Sequence, residues 1–243
     1  MKVALLFFGL TRSLKYTISS INSNLLDVFK KNNIDYDIYL HTYKLKTYIN
    51  RRAGEKTNNY DNDEYKLLSP NYLQIDDQDK IKENLKLKRY RTHPDPWKTN
   101  YQTVDNFILA QYSKLQIVKM VEKSEQNYDY LIYLRPDVKY IQKFNLNFFK
   151  HINNKTICIP NFHLFGPHKF NDRFCITNMN SYKIYGNIFQ RLLNISKRRS
   201  LHSETVLGAV MKNNGLKTIR INFKFSRVRC DGSIPKRDRF KIN

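Results

Sequence analysis

The stretch YDYLIYLRPDVKY, residues 128–140, decides how the fold is read. A nearly unbroken apolar run, Tyr130 to Leu134, stops abruptly at Arg135-Pro136-Asp137. Such a run, with no polar alternation, reads as a strand buried on both faces, as in a parallel sheet. Proline has no N–H to give to a ladder, so Pro136 closes the strand. Arg135 and Asp137 then stand at its carboxyl end, the edge where open α/β sheets bind ligands. A guanidinium grips phosphate through a bidentate fork, and a carboxylate can hold a divalent cation that bridges phosphates. An ordinary turn closed by one ion pair is the competing reading.

Working outward, residues 106–126 carry an apolar stripe of Phe107, Ile108, Ala110, Leu115, Val118 and Val121, which predicts a helix running directly into that strand. At the N-terminus, KVALLFF is a buried strand broken at Gly9. Apolar residues at Leu14, Ile18, Ile21, Leu25, Leu26 and Phe29 predict one helix, and residues 34–43 a second strand. Strand, helix, strand in this space predicts an α/β fold with a mostly parallel, Rossmann-like central sheet flanked by helices. Lys44 to Asp63 reads as a surface loop, residues 69–77 as a short strand and 78–90 as a surface helix. Residues 91–100 form a loop with the only tryptophan, Trp97. Beyond the central stretch the pattern predicts a helix at 145–152, a strand at 155–162, and a loop at 163–178 ending in a strand. It continues with one helix over 180–196, a helix over 202–215 capped by Ser203 and stopped at Gly215, a last strand at 216–225, and a basic irregular tail at 226–243. There is no repeat and no linker, so 1–243 is expected to be one domain.

The chain holds 43 basic and 21 acidic residues, a formal charge of +22. Such a charge attracts polyanions: nucleic acid, an anionic membrane surface or a phosphorylated ligand. A solvated Lys-rich surface is the alternative. Hydrophobic residues make up 41% and aromatic residues 14%, which excludes a disordered chain. Cys158, Cys175 and Cys230 are scattered and form no CxxC pair. This argues against a disulfide framework and a cysteine zinc site, and for a reducing, cytoplasmic setting. The N-terminal apolar run is too short to span a bilayer, and no later segment is long enough. A P-loop segment and a GxSxG motif are both missing, which argues against P-loop phosphoryl transfer and serine hydrolysis. A basic nucleic-acid-binding protein remains a competing function, opposed by the lack of zinc-finger spacing, an RNP-like motif or a basic helix.

Six segments occur in a telling order: ALLFFGLTRS (4–13), YDIYLHTY (36–43), AQYSK (110–114), YDYLIYLRPDV (128–138), FNDRFCITN (170–178) and HSETVLGAVMKNNGL (202–216). Together they resemble the nucleotide-diphospho-sugar transferases of the GT-A fold, and more narrowly the glycosyltransferase-like proteins of bacteria and large DNA viruses with an R-P-D strand end. The resemblance spans most of the chain and is weakest from Lys44 to Asn100. It implies transfer of a sugar from a nucleotide-sugar donor to a hydroxyl of a glycan or glycoconjugate, assisted by Mn²⁺ or Mg²⁺. It also implies a donor half, 1–140, and an acceptor half, 141–243. The family's strand end usually reads Asp-x-Asp. Here Arg135 takes the first place and Asp137 alone remains as a metal ligand. One carboxylate holds an ion if phosphates, waters and a second side chain complete the shell. Alternatively Arg135 does part of the cation's work, or the chain is an inactive sugar-nucleotide-binding module.

The same resemblance assigns Gly9, Thr11, Arg12, His41, Thr42, Tyr43, Asp172 and Glu204, and the residues themselves suggest the others. Gly9, Thr11 and Arg12 touch the nucleotide, where glycine permits close approach and a helix N-terminus favours anions. His41, Thr42 and Tyr43 face the base, with Tyr43 stacking on it. Gln111 and Lys114, one helical turn apart, offer polar groups from an otherwise apolar stripe. Asp172, in Asn171-Asp172-Arg173, bonds a sugar hydroxyl. Glu204, at a helix start, is the base. His163 or His168 supplies a second metal ligand, and Arg227, Arg229 and Asp231 close over the diphosphate as a lid. Plain structural readings stand beside these: a strand-to-helix turn at Gly9, a β-turn at Asn171-Asp172, and helix-start chemistry at Ser203-Glu204.

Overall fold

The structure is a computed structural model that describes residues 1–58 and 60–240. In chain order it contains β1 (Lys2–Phe8), α1 (Leu14–Ile21), α2 (Asp27–Lys31), β2 (Asp35–Lys44), β3 (Tyr48–Asn50), β4 (Glu55–Thr57), β5 (Tyr72–Asp77), α3 (Gln78–Leu85) and α4 (Gln102–Ser124). Then follow β6 (Tyr130–Leu134), β7 (Val138–Tyr140), β8 (Thr156–Pro160), β9 (Phe174–Thr177), α5 (Tyr182–Gly186), α6 (Phe189–Ser196), α7 (Ser203–Asn213), β10 (Lys217–Ile221) and β11 (Phe225–Arg227).

Seven strands form one sheet in the order β10-β8-β9-β6-β1-β2-β5. All pairings are parallel except those of β9, which runs against both β6 and β8. The expected mostly parallel α/β sheet is therefore present, and strands from before and after residue 140 share it. β6 lies inside the sheet between β1 and β9, which is why YLIYL shows no polar alternation. Along β1, Ala4, Leu6 and Phe8 pack with Leu131 and Tyr133 under α4 and α7. Val3, Leu5 and Phe7 face the opposite layer with Ile132, Leu134, Leu25, Phe29 and a cluster of phenylalanines. Two apolar layers thus clamp the sheet, and its carboxyl edge is left for polar groups.

Several boundaries differ from expectation. The first helix is interrupted by a π-turn at Asn22–Leu26 that keeps Leu25 and Leu26 buried, and Phe29 stays buried in α2 behind it. Residues 145–152 make a 3₁₀ turn, Leu146–His151. The helix expected over 180–196 is two helices. Gly186 ends α5 where a Cβ would lie 2.2 Å from Val118 Cγ2 and 2.4 Å from Tyr133 Oη, so only glycine lets α5 seat against α4 and β6. Lys44 to Asp63 is not merely a loop: β3 and β4 form a hairpin whose turn uses Gly54 at φ +67. The last strand ends at Ile221, and Phe225–Arg227 pairs antiparallel with β7, so the tail is partly ordered into the fold. Ser203 is the first residue of α7 rather than its cap; His202 holds the cap position. Residue 59 of the loop and the last three residues of the tail lie outside the described residues.

Candidate active site

Because β9 is reversed, its amino end lies at the carboxyl edge of the parallel strands. Leu134 pairs with Phe174, so Arg135 meets Arg173 and Asp172 across the strand ends. Phe7 pairs with Leu134 and Phe8 with His41, which brings Phe8 and Gly9 to the same edge. The N-terminus of α7, the first half of α4, the β3–β4 hairpin and the tail close the remaining sides. Together they enclose a pocket of about 280 Å³, close to the small end of the range for ligand sites.

One wall is cationic. Asp137, 2% exposed, accepts hydrogen bonds from Arg135 Nε on Oδ1 (2.8 Å) and from Arg135 Nη2 (2.6 Å) and Arg12 Nη2 (2.8 Å) on Oδ2. Burial alone would raise its pKa, but Arg135 and Arg12 outweigh that and hold the carboxyl far below the usual range. The turn itself is pinned from both sides. Thr17 Oγ1 donates to the Pro136 carbonyl (2.7 Å), and the Val228 N–H donates to that of Asp137 (2.9 Å). Behind the wall, Glu55 accepts from Arg229 Nη1 (2.9 Å) and the Cys230 N–H (3.0 Å). Fully buried Asp238 accepts from Arg227 Nε (2.6 Å) and lies 3.8 Å from Arg173 Nη1. Arg12 Nε and Arg227 Nη2 are buried donors with no partner among the described residues.

Acidic groups stand among these cations. Asp172 and Glu204 both line the pocket. Ser203 Oγ donates to Glu204 Oε2 (2.5 Å), and His202 Nδ1 lies 3.5 Å from the same oxygen. His202 stacks on Trp97 with ring centroids 5.1 Å apart. Burial, with the charge of Asp172 added, pushes Glu204 up to about 7. Burial also acts on Asp172, but Arg173, Arg135 and Lys114 override it and hold that carboxyl below its ordinary value. Two neighbouring carboxyls are thus split into a firmly ionised one and one that titrates near neutrality, the division that general acid–base chemistry uses.

Of the residues expected at the site, Gly9, Arg12, Tyr43, Gln111, Arg135, Asp137, Asp172, Glu204 and Arg229 line this pocket. The Gln111 side chain is buried, and its Oε1 has no partner among the described residues. Tyr43 donates to the Leu109 carbonyl (2.7 Å), which fixes its ring in the wall. Thr11, His41, Thr42 and Lys114 do not line the pocket. His41 is fully buried, bonded to Ser113 Oγ (2.8 Å) and Asp76 Oδ2 (3.1 Å), so its ring ties β2 to α4 and β5. His163 is engaged with the tail, 2.9 Å from the Arg237 carbonyl and 2.7 Å from Arg173 Nη1, and His168 packs on the backbone of α7 at Gly208. Neither stands as a ligand beside Asp137. Arg227 and Arg229 are anchored by Asp238 and Glu55, so they form a wall rather than a loose lid, and Asp231 closes an exposed turn through the Ser233 N–H.

Sequence reasoning passed over Arg52, Arg237, Tyr48 and the two anchoring carboxylates, Glu55 and Asp238. The Gly54 turn flanked by Tyr48 and Glu55 was the available signal for the hairpin that carries three of them.

Lys114 is a separate case. It is 0% exposed, its Nζ has no hydrogen-bond partner among the described residues, and it sits 4.0 Å from the Tyr185 ring centre and 4.5 Å from that of Phe8. Burial pushes its ammonium down to about 7. An unfolded lysine titrates at about 10.4, so between pH ~7 and ~10 the unfolded chain holds a proton that the folded chain lacks. Stability therefore rises with pH across that window, and below it the folded state carries the full cost of a buried cation. Lys114→Met is expected to raise unfolding free energy at pH 6 by about 1–4 kcal/mol and to flatten that rise. Urea denaturation at pH 6, 7.5 and 9 checks both. Destabilisation at pH 6 would show that the rings and Asp172 stabilise the ammonium more than burial penalises it.

No protein-family model matches the sequence, and no curated protein matches it. Among solved structures, the chain is similar to mouse xyloside xylosyltransferase 1 in its apo form, at 13% identity and a TM-score of 0.44, over 90% of this chain and 84% of that one. Among the described residues no helix is long and apolar enough to cross a membrane.

Proposed function

We propose that the chain is a glycosyltransferase that takes its sugar from a nucleoside-diphosphate donor and passes it to a hydroxyl of a glycan or glycoconjugate. One observation carries this: a single pocket at the carboxyl edge of a parallel sheet gathers seven guanidiniums and a split carboxyl pair. The order of the six segments in the sequence supports the same reading.

The diphosphate lies along Arg12, Arg135, Arg227 and Arg229, whose guanidiniums suit an anion. The base lies toward Tyr43 and Gln111, where an unpartnered amide oxygen awaits a donor group. Asp172 hydrogen-bonds a sugar hydroxyl. Glu204 takes the proton of the acceptor hydroxyl as its oxygen bonds to the anomeric carbon. The bond from that carbon to the diphosphate oxygen breaks, and its electron pair leaves with the diphosphate. Arginines aimed at that oxygen stabilise the charge where it develops. The three free thiols fit a reducing compartment, and the +22 charge fits an anionic acceptor or carrier surface.

Calorimetric titration tests the donor half of this proposal. Nucleoside diphosphates are expected to bind about tenfold or more tightly than the matching monophosphates, since each lost charge-assisted contact costs about 1.5–3 kcal/mol. Equal affinity for a diphosphate and its bare nucleoside would remove phosphate from the recognition and sink the proposal.

A further inference from the structure

Resting on that reading of the pocket, we infer that the diphosphate is held and its departure stabilised by guanidinium groups in place of a divalent cation. The sequence resemblance implies Mn²⁺ or Mg²⁺ on Asp137, and the residues present do not fit one.

A hard cation needs free carboxylate lone pairs at short range and several oxygen ligands around it. Asp137 has little of either. Its Oδ1 is taken by Arg135, and its Oδ2 by Arg135 and Arg12 together. The carboxylate is 2% exposed, so these bonds are not traded against water. A metal would have to expel two cations from oxygens they already contact, or sit among them at like charge. Among the described residues, no group of three or more His, Cys, Asp or Glu side chains converges as a metal cage. Other candidates are engaged: His163 by the tail, Glu55 by Arg229 and the Cys230 N–H, and Asp238 by Arg227; Asp172 and Glu204 line the pocket too, but complete no such group with Asp137.

Charge balance points the same way. Seven arginines line the pocket, and three carboxylates line it with them. Two more carboxylates, Glu55 and Asp238, pair with the arginines from behind. With all five ionised, the surplus is two positive charges. A nucleoside-diphosphate sugar carries one negative charge on each phosphate, so it neutralises this pocket alone. A divalent cation brought with it would leave the surplus uncompensated in a partly buried site. Among the described residues, Arg12 Nε and Arg227 Nη2 find no acceptor, so these guanidiniums keep hydrogen-bonding capacity once their carboxylate bonds are made. In this arrangement Asp137 orients Arg12 and Arg135 rather than ligating an ion.

The experiment uses chain stripped with EDTA and dialysed. UDP, GDP and TDP are titrated calorimetrically in EDTA and again in millimolar Mn²⁺, and the Mn²⁺ paramagnetic resonance signal is followed with protein alone and with protein plus the nucleotide that binds. Affinity within about threefold in the two conditions, together with a free-ion signal that the protein does not diminish beyond what nucleotide alone does, is the expected result. Arg12→Gln is expected to weaken diphosphate binding in EDTA about tenfold or more, and Arg229→Gln serves the same purpose should the first variant fold poorly. Binding that needs Mn²⁺, or a bound-ion signal that appears only with protein, overturns this inference and leaves the glycosyltransferase proposal standing. No diphosphate binding in either condition overturns both.

Discussion

Glu204→Gln lowers turnover by about two to four orders of magnitude, the range that a positioned general base supplies, while diphosphate affinity stays within about threefold of wild type. Glutamine keeps the shape and the bond from Ser203 but cannot take a proton. Glu204 is poised for that role by position. It stands in the first turn of α7 and lines the arginine-rich pocket, with its side chain 12% exposed. Burial, then the charge of Asp172, raises it to about 7. A base must be ionised to act, so kcat/KM rises with pH through a limb near 7 and levels above it. Asp172→Asn removes the neighbouring negative charge, so in that variant the limb moves to lower pH. The shift identifies Glu204 as the titrating group, whatever Asp172→Asn does to the plateau. A folded Glu204→Gln protein with turnover within tenfold of wild type would sink the assignment, and circular dichroism would establish the fold.

The central sheet was legible because its cues are local. The apolar run of β6, the break at Pro136 and the continuous apolar run of β1, buried on both faces, all follow from side-chain pattern and from what proline lacks. The carboxyl edge, and with it Gly9, Arg12, Arg135 and Asp137, came with that sheet. Asp172 and Glu204 were reached only through the order of the segments, since their local sequence is equally that of a turn and a helix start. What stayed hidden depends on distant partners. Glu55 looks like one more loop charge until Arg229 meets it from 174 residues away. His41 sits at a strand end like a site residue, yet both its ring nitrogens are taken by Ser113 and Asp76, from α4 and β5. Lys114 and Gln111 lie on the same long helix, which is covered by the sheet on one side and by α5 and α6 on another. Which of the two polar groups faced the pocket was set by those neighbours and not by the stripe. The same neighbours hid the split at Gly186, because only the packing of α5 against Val118 and Tyr133 shows why a side chain is excluded there.

Asp137→Asn destabilises the fold by about 3–5 kcal/mol, the cost of breaking a buried ion pair on one side. The substitution removes the one charge that Arg135 and Arg12 share, and it points an amide N–H₂ at donors that need an acceptor. Side-chain exposures of 2% for Asp137 and 9% for Arg12 leave little water to replace the bond, so the two guanidiniums repel each other at short range. Arg135, at 27%, can turn partly outward. That relief makes the double variant Arg135→Met, Asp137→Asn less destabilised than the sum of the single changes, and a double-mutant cycle measures the coupling. The pH dependence has a definite sign. In the folded chain this carboxyl lies far below the unfolded value of about 3.9. Its contribution is therefore present above pH ~4 and fades as the pH falls toward the folded pKa. Wild-type stability drops through that acid range, and the Asp137→Asn protein, which has already lost the contribution, drops less steeply. Urea titrations at pH 7, 4 and 3 read both effects. A loss under about 1 kcal/mol at pH 7, the scale of an exposed pair, would mean that the carboxylate is not the anchor of the arginine wall. The wall would then be held by Glu55 and Asp238 alone, and Asp137 would be free for the cation that its present bonds exclude.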